Sequence, residues 1–337
     1  MRPFGALVII VNFRTPELTL AAIASLQGEV ESRDDTHVVI VDNGSGDGSL
    51  EMIAHGVAER GFARWCSVHD AGANRGFAAG NNAALRWHRQ ETGGALPEYC
   101  WLLNPDTRAE PGALGALIAF LETHPEAGIA GSRCLHETGK VWPSAFRFHS
   151  PGTELNAGLA FGPAEWLLRL NRVALPVQEQ PAAVDWVSGA SMLVRRAVIE
   201  RIGLMDEEYF LYFEETDYCR RARDAGFSVW TVPASCVVHL GGQATGVTAA
   251  DQSRRRRPRY WFASRARFLL QLHGKAGTHL ANLLWLAGYP LGRLIGAMRG
   301  RDRDDPRRLW LDFLTAYYGP GGIMYRPARR ARRMGVD

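Results

Sequence analysis

The first third of the sequence alternates between short apolar runs of strand length and longer segments with helical patterning. The apolar runs are ALVIIVNF, HVVIVDNGS, RWCSVHD and YCWLLNPDT. Each is followed by a turn and then by a stretch that predicts a helix, the first of which begins at Thr15-Pro16. Strands that alternate with helices at this spacing favour a largely parallel sheet with both faces covered. The pattern therefore predicts an α/β fold.

The composition is that of an ordinary globular protein, with 337 residues, of which 46% are hydrophobic and 22% charged. This balance excludes wholesale disorder and a disulfide-stapled mini-protein. The five cysteines form no Cys-x-x-Cys pair and are predicted to be reduced thiols. Because the opening residues also lack a secretory signal pattern, we expect a cytoplasmic location.

Charge is distributed unevenly along the chain. Residues 1–240 contain 20 Lys and Arg against 29 Asp and Glu, whereas residues 241–337 contain 19 against 6. We predict an acidic α/β domain over residues 1–242 and a basic, helical extension over residues 243–337. Residues 140–182 lose the strand–helix rhythm and are predicted to form a covering loop region.

Polar side chains follow each of the four predicted strands. They are Asn12, the Asp42-Asn43 pair, the Asn74-Arg75 pair and the Asn104-Pro105-Asp106 stretch. Ligands of open parallel sheets bind at this edge, so we predict a binding site there. A carboxylate at position 42 can accept the imide N–H of uracil or thymine; alternatively, Asp42 and Asn43 cap the following helix. The sequence has no Gly-x-Gly-x-x-Gly or P-loop pattern, which argues against dinucleotide chemistry.

Two further positions suggest a metal ion. The Asn104-Pro105-Asp106 stretch can present oxygen ligands to Mg²⁺ or Mn²⁺, although the same residues also favour a plain turn. His239 ends the apolar strand VWTVPASCVVH, where it could join Asp106 on one ion or serve only as a structural side chain. From the residues alone, both alternatives remain open.

An acidic cluster of Glu214, Glu215 and Asp217 opens a predicted helix that continues with Arg220 and Arg221. Neighbouring carboxylates raise one another's pKa, which suits a general base. An acidic first turn followed by basic residues also complements the helix dipole. Because positions 214 and 217 share a helix face, the role of base falls to Glu215.

Taken together, these stretches resemble the family 2 glycosyltransferases of the nucleotide-diphospho-sugar (GT-A) fold, and among them the rhamnosyltransferase-like branch. The resemblance covers about residues 5–242 and rests on seven motifs in the same order: VIIVNFRTPEL, VVIVDNGSGDGS, NRGFAAGNNAAL, WLLNPDT, VDWVSGASMLVRR, FLYFEETDYCRRARDAG and VPASCVVHLGG. It implies a mostly parallel mixed sheet flanked by helices, an inverting sugar transfer and a divalent cation, Mg²⁺ or Mn²⁺.

The resemblance also implies roles for individual residues. Glu215 would be the catalytic base, with Glu214 and Asp217 as supporting acids. Asp106 and His239 would hold the metal. The residues assigned to the nucleotide sugar are Asn12, Asp42 on the pyrimidine, Asn74, Arg75, Gly76, Asn104 and Asp106. Those assigned to the acceptor are Trp186, Gly189 and Ala190, beside the covering region at 140–182.

Two positions depart from the family pattern, since Asn104 replaces a carboxylate and Glu215 is one methylene longer than the usual Asp. The implied donor is dTDP-rhamnose, with UDP-linked hexoses or UDP-galactofuranose as alternatives. The implied acceptor is a hydroxyl of a polyprenyl-diphosphate-linked or polysaccharide glycan. A catalytically silent scaffold for polysaccharide assembly is the rival interpretation, and the presence of Asp106, Glu215 and His239 together argues against it.

The basic extension leaves two interpretations open. Leu280 to Met298 predicts an apolar helix, but Pro290 and Arg293 make it a poor candidate for crossing a bilayer. The helix either lies on an anionic membrane surface with its arginines at the headgroups or packs on its own domain. The acidic body argues against nucleic-acid binding. We therefore expect a peripheral enzyme at the inner face of the cytoplasmic membrane.

Overall fold

The computed structural model describes residues 5–160, 172–241, 256–300 and 305–325. Parts of the predicted covering region and of the basic extension, at 161–171, 242–255, 301–304 and 326–337, lie outside the described residues. The described residues form two compact units. The first consists of 5–147, 174–210 and 214–241, and the second of 148–160, 172–173, 211–213, 256–300 and 305–325. The second unit thus combines residues of the covering region with the basic extension.

The strands of the first unit form a ten-stranded sheet and a separate two-stranded one. They are β1 (Ala6–Asn12), β2 (Thr36–Asp42), β3 (Cys66–Asp70), β4 (Tyr99–Leu103), β5 (Thr107–Ala109), β6 (Ala127–Leu135), β7 (Val141–Trp142), β8 (Ala145–Phe146), β9 (Ala182–Val184), β10 (Trp186–Val187), β11 (Ser191–Arg195) and β12 (Ser228–His239). The main order is β3-β2-β1-β4-β11-β6-β12-β5, with β7 beside β6 and β9 beside β12, while β10 pairs with β8.

The helices of the first unit follow strands in the order that the sequence predicts. They are α1 (Pro16–Ser25), α2 (Gln27–Glu31), α3 (Ser49–Glu59), α4 (Phe77–Glu91) and α5 (Ala113–Thr123), and later α7 (Arg196–Ile202) and α8 (Glu214–Asp224). The second unit contains α6 (Pro151–Leu159), α9 (Arg259–Met298) and α10 (Leu309–Tyr318). All five cysteines are free thiols, as the sequence predicts.

The central strands are buried on both faces, as their unbroken apolar runs predict. Every residue of β1, β2 and β4 is buried. Successive side chains enter two separate cores, with Val8 and Ile10 in one and Ile9 and Val11 in the other. Burial of each such side chain contributes roughly 1.5–3 kcal/mol, which fixes the position of the polar residues that end these strands.

The sheet is parallel on one side and mixed on the other. Strands β3, β2, β1 and β4 pair in parallel, and so do β6 and β12. Strand β11 pairs antiparallel with both β4 and β6, and β5 pairs antiparallel with β12. The α/β fold is confirmed, but its antiparallel share is larger than the strand–helix alternation predicts. The antiparallel partners, β12 for β5 and both β4 and β6 for β11, are far away in the sequence, so the local strand–helix alternation contains no signal for these pairs.

The second unit is organised around a buried ion pair. Helix α9 bends at Gly274, whose φ of 65° and ψ of −174° are not helical. In its first half, Arg265 is buried and its Nη2 donates to Glu154 Oε2 of α6 at 2.6 Å, while its Nη1 donates to Tyr317 Oη of α10 at 2.9 Å. Burial raises the pKa of Glu154, but Arg265 and His149 outweigh it and lower this pKa to about 2. Arg265 therefore ties three helices together.

Candidate active site

The polar ends of β1 and β2 form one hydrogen-bonded group. The parallel register places Asn12 beside Asp42, and Asn12 Nδ2 donates to Asp42 Oδ2 at 2.7 Å. Asp42 also accepts from the backbone N–H of Ser45 at 2.9 Å and from its Oγ at 2.7 Å. The Thr15 hydroxyl donates to Asn12 Oδ1 at 3.2 Å and makes no cap hydrogen bond to α1. Because Asn12 and Asp42 are both buried, this edge of the sheet carries a carboxylate in a fixed orientation.

The structure excludes one of the two interpretations of Asp42. Helix α3 begins at Ser49, and its N-cap is Gly48. The interpretation that Asp42 and Asn43 cap this helix is therefore wrong, because neither residue lies at the helix start. Recognition of a pyrimidine by Asp42 stays a prediction. Both carboxylate oxygens already accept hydrogen bonds, so an imide N–H would use a second lone pair.

Asn43 is a site residue that the sequence analysis left unassigned. Its Nδ2 donates to Asn74 Oδ1 and to the backbone oxygen of Gly76, both at 3.1 Å. Asn74 Oδ1 also accepts from the backbone N–H of Gly76 at 3.0 Å. The Oδ1 of Asn43 is buried and has no hydrogen-bond partner among the described residues. Asn43 thus holds the loop after β3 against the end of β2, and its position next to Asp42 was the signal available in the sequence.

Gly76 allows a close approach between two loops. Its φ is +92°, and a Cβ placed there would overlap the backbone oxygen of Phe210. The backbone N–H of Phe77, the first residue of α4, donates to the same oxygen at 3.0 Å. Only glycine fits both the backbone conformation and the space.

We expect Gly76→Ala to lower the free energy of unfolding by about 2–4 kcal/mol, because the added methyl group must displace the Phe210 backbone. Gly115→Ala is the matched control, since a Cβ on Gly115 of α5 would meet nothing within 4 Å. The control should be neutral or more stable by up to about 1 kcal/mol. Urea unfolding of both variants measures the difference, and equal stability would contradict the close approach.

Arg75 lies at the rim of this loop. Its side chain is 65% exposed, and its Nη2 is 3.9 Å from Glu207 Oε2. Glu207 also accepts from Asn82 Nδ2 at 2.9 Å and contacts Arg86. Burial raises the pKa of Glu207, but the hydrogen bonds from Asn82 and Arg86 outweigh it and lower this pKa below its ordinary value. The structure places Arg75 beside the Asn74 loop but outside its buried group.

A second polar group forms where β5 pairs with β12. The register sets Thr107 opposite His239 and brings Asp106 Oδ1 within 3.2 Å of His239 Nε2. Asn104 Nδ2 lies 3.5 Å from the same nitrogen. Asp106 is buried, whereas the His239 side chain is 19% exposed. Strand pairing thus joins two predicted metal ligands that are far apart in the sequence.

The donor atoms of this group fit a divalent cation. Adjacent ligands of an octahedral ion with bonds near 2.1 Å are separated by about 3 Å, close to the distance between the Asp106 and His239 donors. Within the described residues, no group of three or more His, Cys, Asp or Glu side chains could hold a metal ion. Asp106 and His239 are the residues that would hold such an ion, with the side-chain amide oxygen of Asn104 as a further candidate ligand.

Glu215 lies at the start of α8, next to a glycine. A Cβ placed on Gly189 would lie 3.5 Å from Glu215 Cβ and 3.6 Å from Phe77 Cε1. The Oε2 of Glu215 is buried and has no hydrogen-bond partner in the part of the chain that the structure describes. Burial raises the pKa of Glu215. A desolvated carboxylate with an unsatisfied oxygen is suited to accept a proton.

The two neighbouring acids, Asp217 and Glu214, differ from Glu215 in their surroundings. Asp217 accepts from Arg220 at 2.7 Å and from Arg221 at 2.9 Å, so it is an ion-paired residue of the helix. Glu214 is buried, and burial, followed by the charge of Glu215, raises its pKa well above the ordinary value. The Glu214–Glu215 pair therefore holds one negative charge more readily than two.

Gly189 and Ala190 connect these groups. The backbone N–H of Asn104 donates to the backbone oxygen of Ala190 at 3.0 Å, and Gly189 faces both Glu215 and Phe77. Two of the predicted acceptor-side residues thus lie between the candidate base, the segment with the metal ligands and the start of α4. This arrangement brings the predicted site residues of four chain segments to one edge of the sheet.

Trp186, the third predicted acceptor-side residue, is engaged within the fold. Its Nε1 donates to the backbone oxygen of Arg147 at 2.9 Å, and its ring stacks on Phe146 with centroids 4.0 Å apart. Its indole N–H is therefore already paired, and contact with an acceptor stays a prediction.

Comparison with known proteins assigns the chain to a family. Residues 3–263 match the family described as "Glycosyltransferase like family 2". The match spans most of the sequence, so the chain belongs to this family and is a glycosyltransferase. Among solved structures, the mannosyltransferase PcManGT from Pyrobaculum calidifontis, determined in complex with GDP-Man and Mn²⁺, superposes with a TM-score of 0.55 at 17% identity, covering 89% of this chain and 76% of that chain. This likeness confirms the GT-A fold.

Curated relatives indicate which branch of the family the chain resembles. The chain is 29% identical over 218 residues to the N-acetylglucosaminyl-diphospho-decaprenol L-rhamnosyltransferase of Mycobacterium tuberculosis, covering 62% of this chain and 68% of the relative. It is 28% identical over 171 residues to rhamnosyltransferase WbbL of Escherichia coli, covering 50% and 62%. It is 27% identical over 243 residues to the low-salt glycan biosynthesis hexosyltransferase Agl10 of Haloferax volcanii, covering 69% and 66%. The predicted resemblance to the rhamnosyltransferase-like branch is confirmed.

Proposed function

We propose that this glycosyltransferase moves L-rhamnose from dTDP-rhamnose to a hydroxyl of a lipid-linked or polysaccharide glycan, with inversion at the anomeric carbon. The observation that supports this most is the state of Glu215. Glu215 lies beside Gly189, and its Oε2 is buried and unsatisfied among the described residues, whereas Asp217 in the same turn is paired with two arginines. At the start of α8, Asp217 is therefore the structural acid, and Glu215 is the acid that is available to accept a proton.

The reaction is a single in-line displacement. Glu215 accepts the proton of the acceptor hydroxyl while the hydroxyl oxygen forms a bond to the anomeric carbon. On the opposite face, the bond between that carbon and the diphosphate oxygen breaks, and the nucleoside diphosphate leaves with the bonding electrons. Attack from one face and departure from the other invert the configuration. The raised pKa of Glu215 makes its carboxylate a stronger base than an exposed glutamate.

Asp106 and His239, with the amide of Asn104, are the residues that would hold Mg²⁺ or Mn²⁺. When bound, such an ion neutralises negative charge that develops on the leaving diphosphate. Asn104 carries no charge, so Asp106 supplies the anionic ligand of this set. At the other end of the site, Asp42 would contact the pyrimidine, with Arg75 as an additional cation near the nucleotide.

The relatives support the choice of substrates. Two of them are named rhamnosyltransferases, and the name of one specifies an acceptor on decaprenyl diphosphate. A polyprenyl-linked acceptor lies in a membrane, so the enzyme would act as a peripheral protein at the inner face of the cytoplasmic membrane. Agl10 is named a hexosyltransferase, which makes a UDP-linked hexose the second candidate donor.

A thermal-shift titration with dTDP, UDP, GDP and ADP, each with and without Mn²⁺, tests the donor class. We expect a metal-dependent rise in melting temperature with dTDP, and a free ligand concentration of 100 times Kd should add about 2.7 kcal/mol of stability. A rise with UDP alone would favour the hexose alternative. Absence of a shift with any nucleotide would contradict the donor site and favour a silent scaffold.

A further inference from the structure

The second half of α9 carries a stripe of exposed apolar side chains. Its members are Leu280, Leu283, Leu291, Leu294 and Met298, which are 51%, 58%, 49%, 58% and 71% exposed. At 100° per residue they fall within an arc of about 80°, along about 27 Å of helix. We call these five residues the leucine face. On α10, Trp310 and Leu311 are also exposed.

The opposite side of the same helix packs against α6 and α10 within the second unit. A Cβ placed on Gly288 would lie 3.1 Å from the backbone oxygen of Leu155 in α6, and one on Gly292 would overlap that of Leu159. Trp285 is buried and stacks on Phe313 of α10 with ring centroids 4.2 Å apart. The helix is therefore held by its small residues and Trp285, whereas the side chains of the leucine face are about half exposed or more.

The charges that α9 itself places around the leucine face are of one sign. Helix α9 contains no Asp or Glu in its 40 residues. Exposed basic residues flank the face, with Lys275 and Arg293 along one side and Arg299 at the end. Arg293 also contacts Asp305, which lies beyond the end of α9, at 3.3 Å. These three basic residues outnumber Asp305, so two copies packed through this face would bring an excess of like charge together, whereas paired helices usually place opposite charges beside their apolar seam. The complementary surface is anionic.

The length and the apolar pattern of the described helices determine how α9 could associate with an anionic membrane. None of the described helices is long and apolar enough to span a bilayer. A helix with one apolar face and basic flanks lies in the plane of the membrane interface, with its apolar side chains at the boundary between headgroups and acyl chains. Arg265 takes no part, because it is buried in its ion pair with Glu154.

We propose that the leucine face binds the surface of an anionic bilayer, with the second half of α9 parallel to that surface and the basic flanks of the face toward the lipid phosphates. The inference deepens the proposed function and rests on it in one respect, since a polyprenyl-linked acceptor is presented at such a surface. The leucines provide apolar contact, and the arginines provide selectivity for anionic lipids.

Co-sedimentation with vesicles of phosphatidylcholine, with and without one-third phosphatidylglycerol, tests the proposal. The wild-type chain should bind the anionic vesicles and be released as salt is raised. The double variant Leu283→Gln/Leu294→Gln should bind these vesicles with an affinity at least about tenfold lower than that of the wild type. The matched control is Met52→Gln/Leu270→Gln, which changes two apolar residues exposed by 47% and 36% outside the leucine face and should bind like the wild type.

Three results would overturn the proposal. They are indifference of the wild type to anionic vesicles, equal binding by both double variants, and a wild-type dimer that Leu283→Gln/Leu294→Gln dissociates. Transfer to a short-chain acceptor in detergent separates this inference from the proposed function. We expect Leu283→Gln/Leu294→Gln to match the wild type in that assay. Vesicle binding without transfer from any donor would contradict the proposed function alone, and transfer without vesicle binding would contradict this inference alone.

Discussion

Glu215→Gln should lower kcat for sugar transfer by about 10²–10⁴-fold while changing the affinity for the nucleoside diphosphate by no more than a few-fold. The amide occupies nearly the same volume as the carboxylate, so the packing against Gly189 is retained. It cannot accept the proton of the acceptor hydroxyl, and this is the step assigned to Glu215. Release of nucleoside diphosphate measures turnover, and calorimetry measures binding.

Glu208→Gln is the matched control, because Glu208 is an exposed glutamate close to α8 and undergoes the same chemical change. It should leave both turnover and binding unchanged. Turnover near the wild-type rate in Glu215→Gln would reject Glu215 as the base.

The pH profile provides a second signature of Glu215. Only the deprotonated carboxylate can act as base, so kcat/KM falls as the pH drops through its pKa. Burial raises that pKa, so the fall should be centred above the value of about 4.3 for an ordinary glutamate. The residual rate of Glu215→Gln should lack this acidic limb. A wild-type rate that stays level down to pH 4 would contradict the burial of the base.

Asp106→Ala should lower transfer by about 10²–10³-fold and remove the metal-dependent part of nucleotide binding. Asp106 is the buried, anionic member of the candidate metal set, since Asn104 is neutral and His239 binds metal as a neutral ring. His239→Ala should have the same effect on metal dependence with a smaller loss, because Asp106 remains. Calorimetric titration of dTDP with and without Mn²⁺ measures both variants.

Glu110→Gln is the control for the metal site, because Glu110 is an exposed acid directly after β5. It should keep the metal dependence of the wild type. If Asp106→Ala kept it too, the assignment of Asp106 and His239 to the cation would be wrong.

The sheet and part of the site were predictable from the sequence because their signals are local. Strands β1 and β2 are apolar runs of strand length buried on both faces, and parallel pairing necessarily brings their polar ends, Asn12 and Asp42, to one edge. The sequence singled out Glu215 by its position on the helix. The structure supports this choice, because the neighbouring acid Asp217 is engaged in an ion pair with Arg220.

Other features depend on contacts between distant residues and left no local pattern. Strand β5 has three residues, too few for a periodic signal, yet its pairing with β12 is what joins Asp106 to His239. Asn43 contacts a backbone oxygen that no sequence motif encodes. The residues around Arg265 in the sequence do not indicate its burial, because that burial depends on Glu154, far away in the sequence.

Transfer itself is the decisive measurement. Purified chain is incubated with dTDP-rhamnose, Mn²⁺ and an N-acetylglucosaminyl-diphosphoryl lipid, and the product is analysed by mass spectrometry and NMR. We expect one rhamnose per acceptor, with the anomeric configuration opposite to that of the donor, and formation of this product at least about a hundredfold more slowly by Glu215→Gln. A product that retains the donor configuration, or formation of the product by Glu215→Gln at the wild-type rate, would contradict an inverting displacement with Glu215 as the base.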